Sequence, residues 1–171
     1  FITSQYASNN FNSLASILKA EGYQTSFFHG GKNGTMGFDA FSKSAGFENY
    51  YGKNEYPNQA DFDGSWGISD EPYLQYIANI LNTTSEPFMG AVFTLSSHHP
   101  YKVPEKYRNK FRKGPLEIQE TIMYTDFALQ EFFAAASAMP WFKNTIFVIT
   151  SDHTSEAYKP FYKNRVGQYA I

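Results

Sequence analysis

The stretch FMGAVFTLSSHHP, residues 88–100, decides the fold class. Eight of its residues, 88–95, run almost without a polar break, which is too apolar for a half-exposed strand and suits a central one, covered on both sides. It then breaks into two hydroxyls, two histidines and a proline. A second run of the same kind, TIFVIT at residues 145–150, stops on Asp152 and His153. A third, YQTSFF at residues 23–28, stops on His29, Gly30 and Gly31, where the glycines permit a sharp turn. Residues 166–171, VGQYAI, read like the start of another strand.

Helical patterns separate these strands. Leu14, Ile17 and Leu18 recur at i, i+3, i+4 and Gly22 closes that helix. Residues 37–46 carry Phe38, Phe41 and Ala45 on one face. Asp70, Glu71 and Pro72 read as a cap, an acidic first-turn residue and a tolerated early proline, so a helix follows over EPYLQYIANILN, residues 71–82. Residues 117–139 form a longer helix ended by Pro140. Between residues 51 and 69 the chain is rich in Asn, Asp, Gly and Pro and reads as a long ordered loop. Strands alternating with helices predict an α/β domain: a mainly parallel sheet with helices on both faces.

Bulk properties narrow the function. The 171 residues suit one domain or a large part of one. A net charge of −2, from 14 Lys and Arg against 16 Asp and Glu, contains no block of like charge that marks a nucleic-acid footprint. With no cysteine, disulfides and thiolate metal sites are excluded, and any metal is held by oxygen or imidazole. No apolar run approaches the ~18 to 20 residues of a membrane span. The first residue is Phe1 rather than Met, so a piece of a larger protein, incomplete at both ends, is expected.

In parallel sheets, ligands gather at the carboxyl ends of the strands. All four histidines fall in loops at such ends: His29, the pair His98 and His99, and His153 beside Asp152. Aspartate and neutral imidazole are ligands for divalent ions. A nucleophile elbow G-x-S-x-G is absent, and Ser96 and Ser97 lack its strand-turn-helix setting. Asp61 and Asp63 are explained by turns beside glycine, Asp70 by capping, and Trp66 by packing of its loop.

Four segments in unbroken order, FFHGGKNGTMGFDAF, DFDGSWGISDEPYLQ, FTLSSHHPYKVPEKY and TIFVITSDHTS, resemble the sulfatase-like phosphoglycerol transferases of the lipoteichoic acid synthase type, in the alkaline phosphatase superfamily. The resemblance implies that residues 1–171 are the central part of a single sulfatase-like catalytic domain. It implies an extracytoplasmic, membrane-anchored enzyme of the cell envelope, the anchor lying outside this chain. Such an enzyme uses a divalent metal, Mn²⁺ or Mg²⁺ first and Zn²⁺ or Ca²⁺ as alternatives. It moves phosphoglycerol, or phosphoethanolamine, from a phospholipid through a threonine nucleophile to lipid or glycan. By position Asp152 and His153 match the family's metal pair, and His98 the histidine that contacts the substrate headgroup. His29 matches a pocket histidine, and Ser155 lies where loop lengths vary.

Where those synthases carry Trp and Arg after the histidine-glycine turn, this chain has NGTMGFD, residues 33–39, leaving Asn33 or Lys32 to meet the anion. The nucleophilic threonine belongs upstream of a region like residues 1–22, so these 171 residues alone are expected to be inactive. The rivals are a sulfatase or phosphodiesterase of the same fold, and a non-catalytic glycan-binding α/β domain built on Trp66 and the tyrosines.

Overall fold

The computed structural model describes residues 4, 5, 9–165 and 167. Helix α1 (Leu14–Ala20) starts at Ser13, whose hydroxyl accepts from the Ser16 amide at 3.0 Å while the Ser16 hydroxyl accepts from the Ser13 amide at 2.9 Å. This reciprocal cap satisfies two of the amides that a helix start leaves free. Strand β1 (Gln24–Phe28) follows, then α2 (Phe38–Ser44), β2 (Asn49–Tyr51), α3 (Asp70–Thr83), β3 (Phe88–Val92), α4 (Ile118–Ala136) and the short α5 (Pro160–Lys163). The three strands form one parallel sheet in the order β2-β1-β3.

Period-two alternation along β1 sends neighbouring aromatic rings to opposite faces. Phe27 stacks with Phe38 and Tyr50 and meets Phe47 edge-on, on the α2 side. Phe28, fully buried, joins Leu74, Ile77 and Leu81 of α3 and Ala128 and Phe132 of α4 in the main core. Both faces of the sheet are therefore covered, as the apolar runs predict. A buried phenylalanine of this kind contributes about 2–3 kcal/mol. Among the described residues no helix is long and apolar enough to cross a membrane.

Three expectations are corrected. The most apolar run does not lie at the centre of the sheet: β3 is an edge of it, with Val92 exposed, and the mostly buried β1 is central. Residues 145–150 join no ladder, and Ile146 and Val148 are 90% and 84% exposed. Composition makes such a segment competent for a strand, but a strand exists only where a neighbour accepts its hydrogen bonds. The opening of the 51–69 loop is preceded by β2, whose three residues are too few for a period to register. The strand expected over residues 166–171 lies outside the described residues, apart from Gly167.

Candidate functional site

His29 follows directly on β1, and its amide donates to the Tyr51 carbonyl at the end of β2, 3.0 Å away. Its ring is 4% exposed, between Phe38 and Phe93. Nδ1 pairs with the Phe93 carbonyl at 3.1 Å, which assigns the proton to Nδ1. Nε2 has no hydrogen-bond partner among the described residues and stands beside Gly31, where a Cβ would come within 2.5 Å of it. Any side chain at Gly31 would close that nitrogen off.

Burial pushes the His29 pKa below its ordinary value; the hydrogen bond to Phe93 and the nearby Asp70 oppose this, and His98 adds to it. The folded protein thus holds His29 neutral. As pH falls through the ordinary imidazole range near ~6.5, the unfolded chain takes up a proton that the folded one refuses, so stability falls at up to ~1.4 kcal/mol per pH unit. Chemical denaturation between pH 7.5 and 5.5 is expected to show this loss. His29→Asn, which keeps a donor for Phe93, is expected to flatten it; an unchanged slope in the variant would assign the loss to other groups.

The loop after β3 brings His98 to the same edge of the sheet. A carboxylate holds that loop: Asp70 Oδ1 accepts from the amides of Leu95 at 2.9 Å and Ser96 at 3.1 Å, and Oδ2 accepts from the Thr125 hydroxyl of α4 at 2.8 Å. In return the Asp70 amide donates to the Ser96 hydroxyl at 2.9 Å. Asp70 is only 2% exposed, and burial raises its pKa against these three donors. Its expected role as a cap is corrected, since Ser69 is the N-cap of α3 and the Asp70 carboxylate serves a loop 25 residues away. Nothing in the sequence relates Asp70 to Ser96 or Thr125, because the three meet only after the helices dock.

Trp66 holds the other side of the loop. Asp63 Oδ1 accepts from the amides of Ser65, Trp66 and Gly67 at 2.7, 2.8 and 3.1 Å, forming the tight turn that a short acceptor side chain favours beside glycine. Gly67 then crosses the exit of β1 so closely that a Cβ on it would lie 2.2 Å from the Gly30 carbonyl. This crossing delivers the Trp66 ring to 5.0 Å from the His98 ring, with Nε1 donating to the His99 carbonyl at 2.6 Å. The indole packs its loop against the histidine loop, as read from the sequence. Asp61, likewise structural, accepts from the Tyr56 hydroxyl and the Asn58 amide group.

The other proposed positions stand apart from this pair. Asn33 spends its amide on Glu55, at 3.0 and 3.1 Å, and on the backbone of Asn54, fixing the turn over residues 52–55. Ser155 lines an open cavity of about 320 Å³ with Leu116, Gln119, Ile122 and Tyr158. Asp152 and His153 are exposed and pair with each other. No hydrogen bond or ring contact among the described residues links them to His29 or His98, and no third acidic or histidine side chain forms a cluster with them.

The Asp152 and His153 side chains nevertheless approach each other. Asp152 Oδ2 and His153 Nε2 are 3.5 Å apart. Two ligands of a tetrahedral ion with bonds of about 2.0–2.1 Å are separated by roughly 3.4 Å. His153 Nδ1 bonds to the Thr154 carbonyl at 2.7 Å, which leaves Nε2 as the lone-pair donor in the manner of metal-binding histidines. The spacing therefore matches two corners of a tetrahedral ion, and is roughly 0.5 Å wider than neighbouring corners of an octahedral ion with bonds of about 2.0–2.1 Å.

A parallel sheet covered on both faces, with buried and loop histidines at its carboxyl edge, defines an α/β protein with a polar site at its strand ends. The chain belongs to the sulfatase family, whose model matches residues 2–170. It is 30% identical to a phosphoglycerol transferase I of Citrobacter koseri over 150 residues, 82% of this chain and 20% of that protein. A phosphoglycerol transferase I of Salmonella typhi is 29% identical over the same shares. The chain thus spans about a fifth of the length of the curated relatives it matches. Among solved structures, an alkaline phosphatase superfamily protein from Vibrio parahaemolyticus superposes with a TM-score of 0.71 at 29% identity, covering 82% of this chain and 35% of that one. The lipoteichoic acid synthase LtaP of Listeria monocytogenes superposes with a TM-score of 0.68 at 21% identity, covering 80% and 35%, and supports the fold.

Proposed function

We propose that the full-length protein carrying this chain is a metal-dependent phosphoglycerol or phosphoethanolamine transferase, acting at the outer face of a membrane on lipid or cell-envelope glycan. The chain supplies the central part of its catalytic domain. The observation that carries this reading is the convergence of His29 and His98 at one sheet edge, in a chain related to phosphoglycerol transferases over 82% of its length.

Asp152 Oδ2 and His153 Nε2 would hold the ion, Mn²⁺ or Mg²⁺ first by family resemblance, with Zn²⁺ or Ca²⁺ as alternatives. Bound there, it would supply Lewis acidity toward a phosphoryl oxygen and a hydroxyl nucleophile. His98, steadied by Trp66 and by the Asp70 clamp, donates to a phosphoryl oxygen or to the leaving group. Neutral His29 offers Nε2 as an acceptor for a headgroup hydroxyl. Asn33 acts through the turn it holds, and Ser155 is offered for substrate contact by the segment after the metal pair. The isolated 171 residues turn over no substrate.

The test is transfer by the full-length protein from phosphatidylglycerol. Chelation is expected to abolish transfer, and added Mn²⁺ to restore it. Cleavage of an aryl sulfate in place of transfer would assign the site to a sulfatase. Saccharide binding untouched by chelator, without turnover, would assign the chain to glycan recognition.

A further inference from the structure

Six of the chain's 14 Lys and Arg residues lie within twelve positions, 102–113, against the single acid Glu105, although the whole chain is net negative. Interleaving with Tyr107, Asn109 and Phe111 hides this concentration from a search for runs of like charge. The structure gives the segment a fixed place. Tyr107 packs on Tyr124 and Phe127 of α4 with ring centroids 5.5 and 5.3 Å apart, and Phe111 packs on the same two rings at 5.9 and 5.8 Å. The Tyr107 hydroxyl donates to Glu71 at 2.7 Å, and Lys110 Nζ lies 3.3 Å from the centre of the Phe127 ring. The aromatic residues bind inward and the cations are left outside.

Three of those cations are spoken for. Lys106 pairs with Glu71 at 2.9 Å, Arg108 with Glu105 at 2.8 Å, and Lys110 lies on aromatic rings. Lys102, Arg112 and Lys113 are exposed and have no acidic partner among the described residues. On the same face α4 presents Met123, one turn before Phe127 and 40% exposed. Free cations on a segment that packs next to an exposed aliphatic side chain suit the boundary of an anionic bilayer, where charge meets the headgroups and the apolar tip enters the acyl margin. A soluble polyanion gains nothing from Met123.

We propose that residues 102–113, with Met123, form a docking surface for an anionic phospholipid bilayer. The segment begins three residues after His99, so docking places the histidine loop beside the lipid surface. Charge and apolar exposure define this surface independently of the catalytic residues, and binding to it is measured without turnover. Failure here leaves the transferase reading standing, and the converse also holds.

The test is co-sedimentation of the 171-residue chain with vesicles of phosphatidylglycerol mixed into phosphatidylcholine, and with vesicles of phosphatidylcholine alone. Binding is expected only to the anionic vesicles and is expected to weaken as salt rises. Each cation near such a surface contributes roughly fivefold in partitioning, so Lys102→Glu with Arg112→Glu and Lys113→Glu is expected to weaken binding by about 10²-fold. A control with the same change in net charge, Lys19→Glu with Lys43→Glu and Lys143→Glu, is expected to retain most of it. Circular dichroism melting confirms that both variants fold. Equal loss in the control, equal binding to neutral vesicles, or equally tight binding of polyphosphate at the same salt would each overturn the proposal.

Discussion

Asp152→Ala in the full-length protein is expected to abolish transfer and to weaken metal binding, whereas His98→Ala is expected to leave metal binding nearly intact while lowering kcat by ~10²-fold or more. The difference follows from chemistry. Asp152 Oδ2 is the anionic member of the donor pair with His153 Nε2, and a site with few ligands loses much of its affinity with one charge. His98 is placed by Trp66 and by the Leu95–Ser96 backbone, with no carboxylate on its ring among the described residues, and is suited to contact substrate. A metal titration by calorimetry beside steady-state kinetics separates the two variants. Equal losses of metal affinity would make His98 a ligand, and normal turnover in both would reduce residues 150–156 to an ordinary connection.

The second large effect is on stability. Asp70→Ala removes the acceptor for two backbone amides and the Thr125 hydroxyl, all within a buried junction. A buried donor left without a partner costs about 1–3 kcal/mol, and the loop can turn some of the three toward water, so a loss of ~3–5 kcal/mol is expected in urea denaturation. Asp70→Asn keeps an oxygen for the Leu95 and Ser96 amides and offers Thr125 a donor that its hydroxyl can accept, so it is expected to lose about half as much or less. A loss below ~1 kcal/mol for Asp70→Ala would mean that the loop is held by Trp66 alone. Because Leu95 and Ser96 precede His98 by two or three residues, the same substitution is expected to lower kcat in the full-length protein even where the fold survives.

The sequence by itself determined the class of the fold. Continuous apolar runs separated by helical ones admit few arrangements other than a covered parallel sheet, and helix ends are local chemistry, as the Ser13 cap and Gly22 illustrate. Histidine placement was readable for the same reason: His29 and His98 follow strands, and parallel strands bring their carboxyl ends together at any separation in sequence. Tertiary structure alone decided the rest. Whether residues 145–150 form a strand depends on a hydrogen-bonding neighbour rather than on their own side chains. The Asp70 clamp joins residues 25, 26 and 55 positions apart in sequence, and a buried carboxylate looks the same in sequence whether it caps its own helix or holds another loop. Trp66 reached His98 only because Gly67 lets one backbone cross another at the end of β1. Local signals act over a few residues, whereas these contacts exist only once the core of α3 and α4 has closed on Phe28.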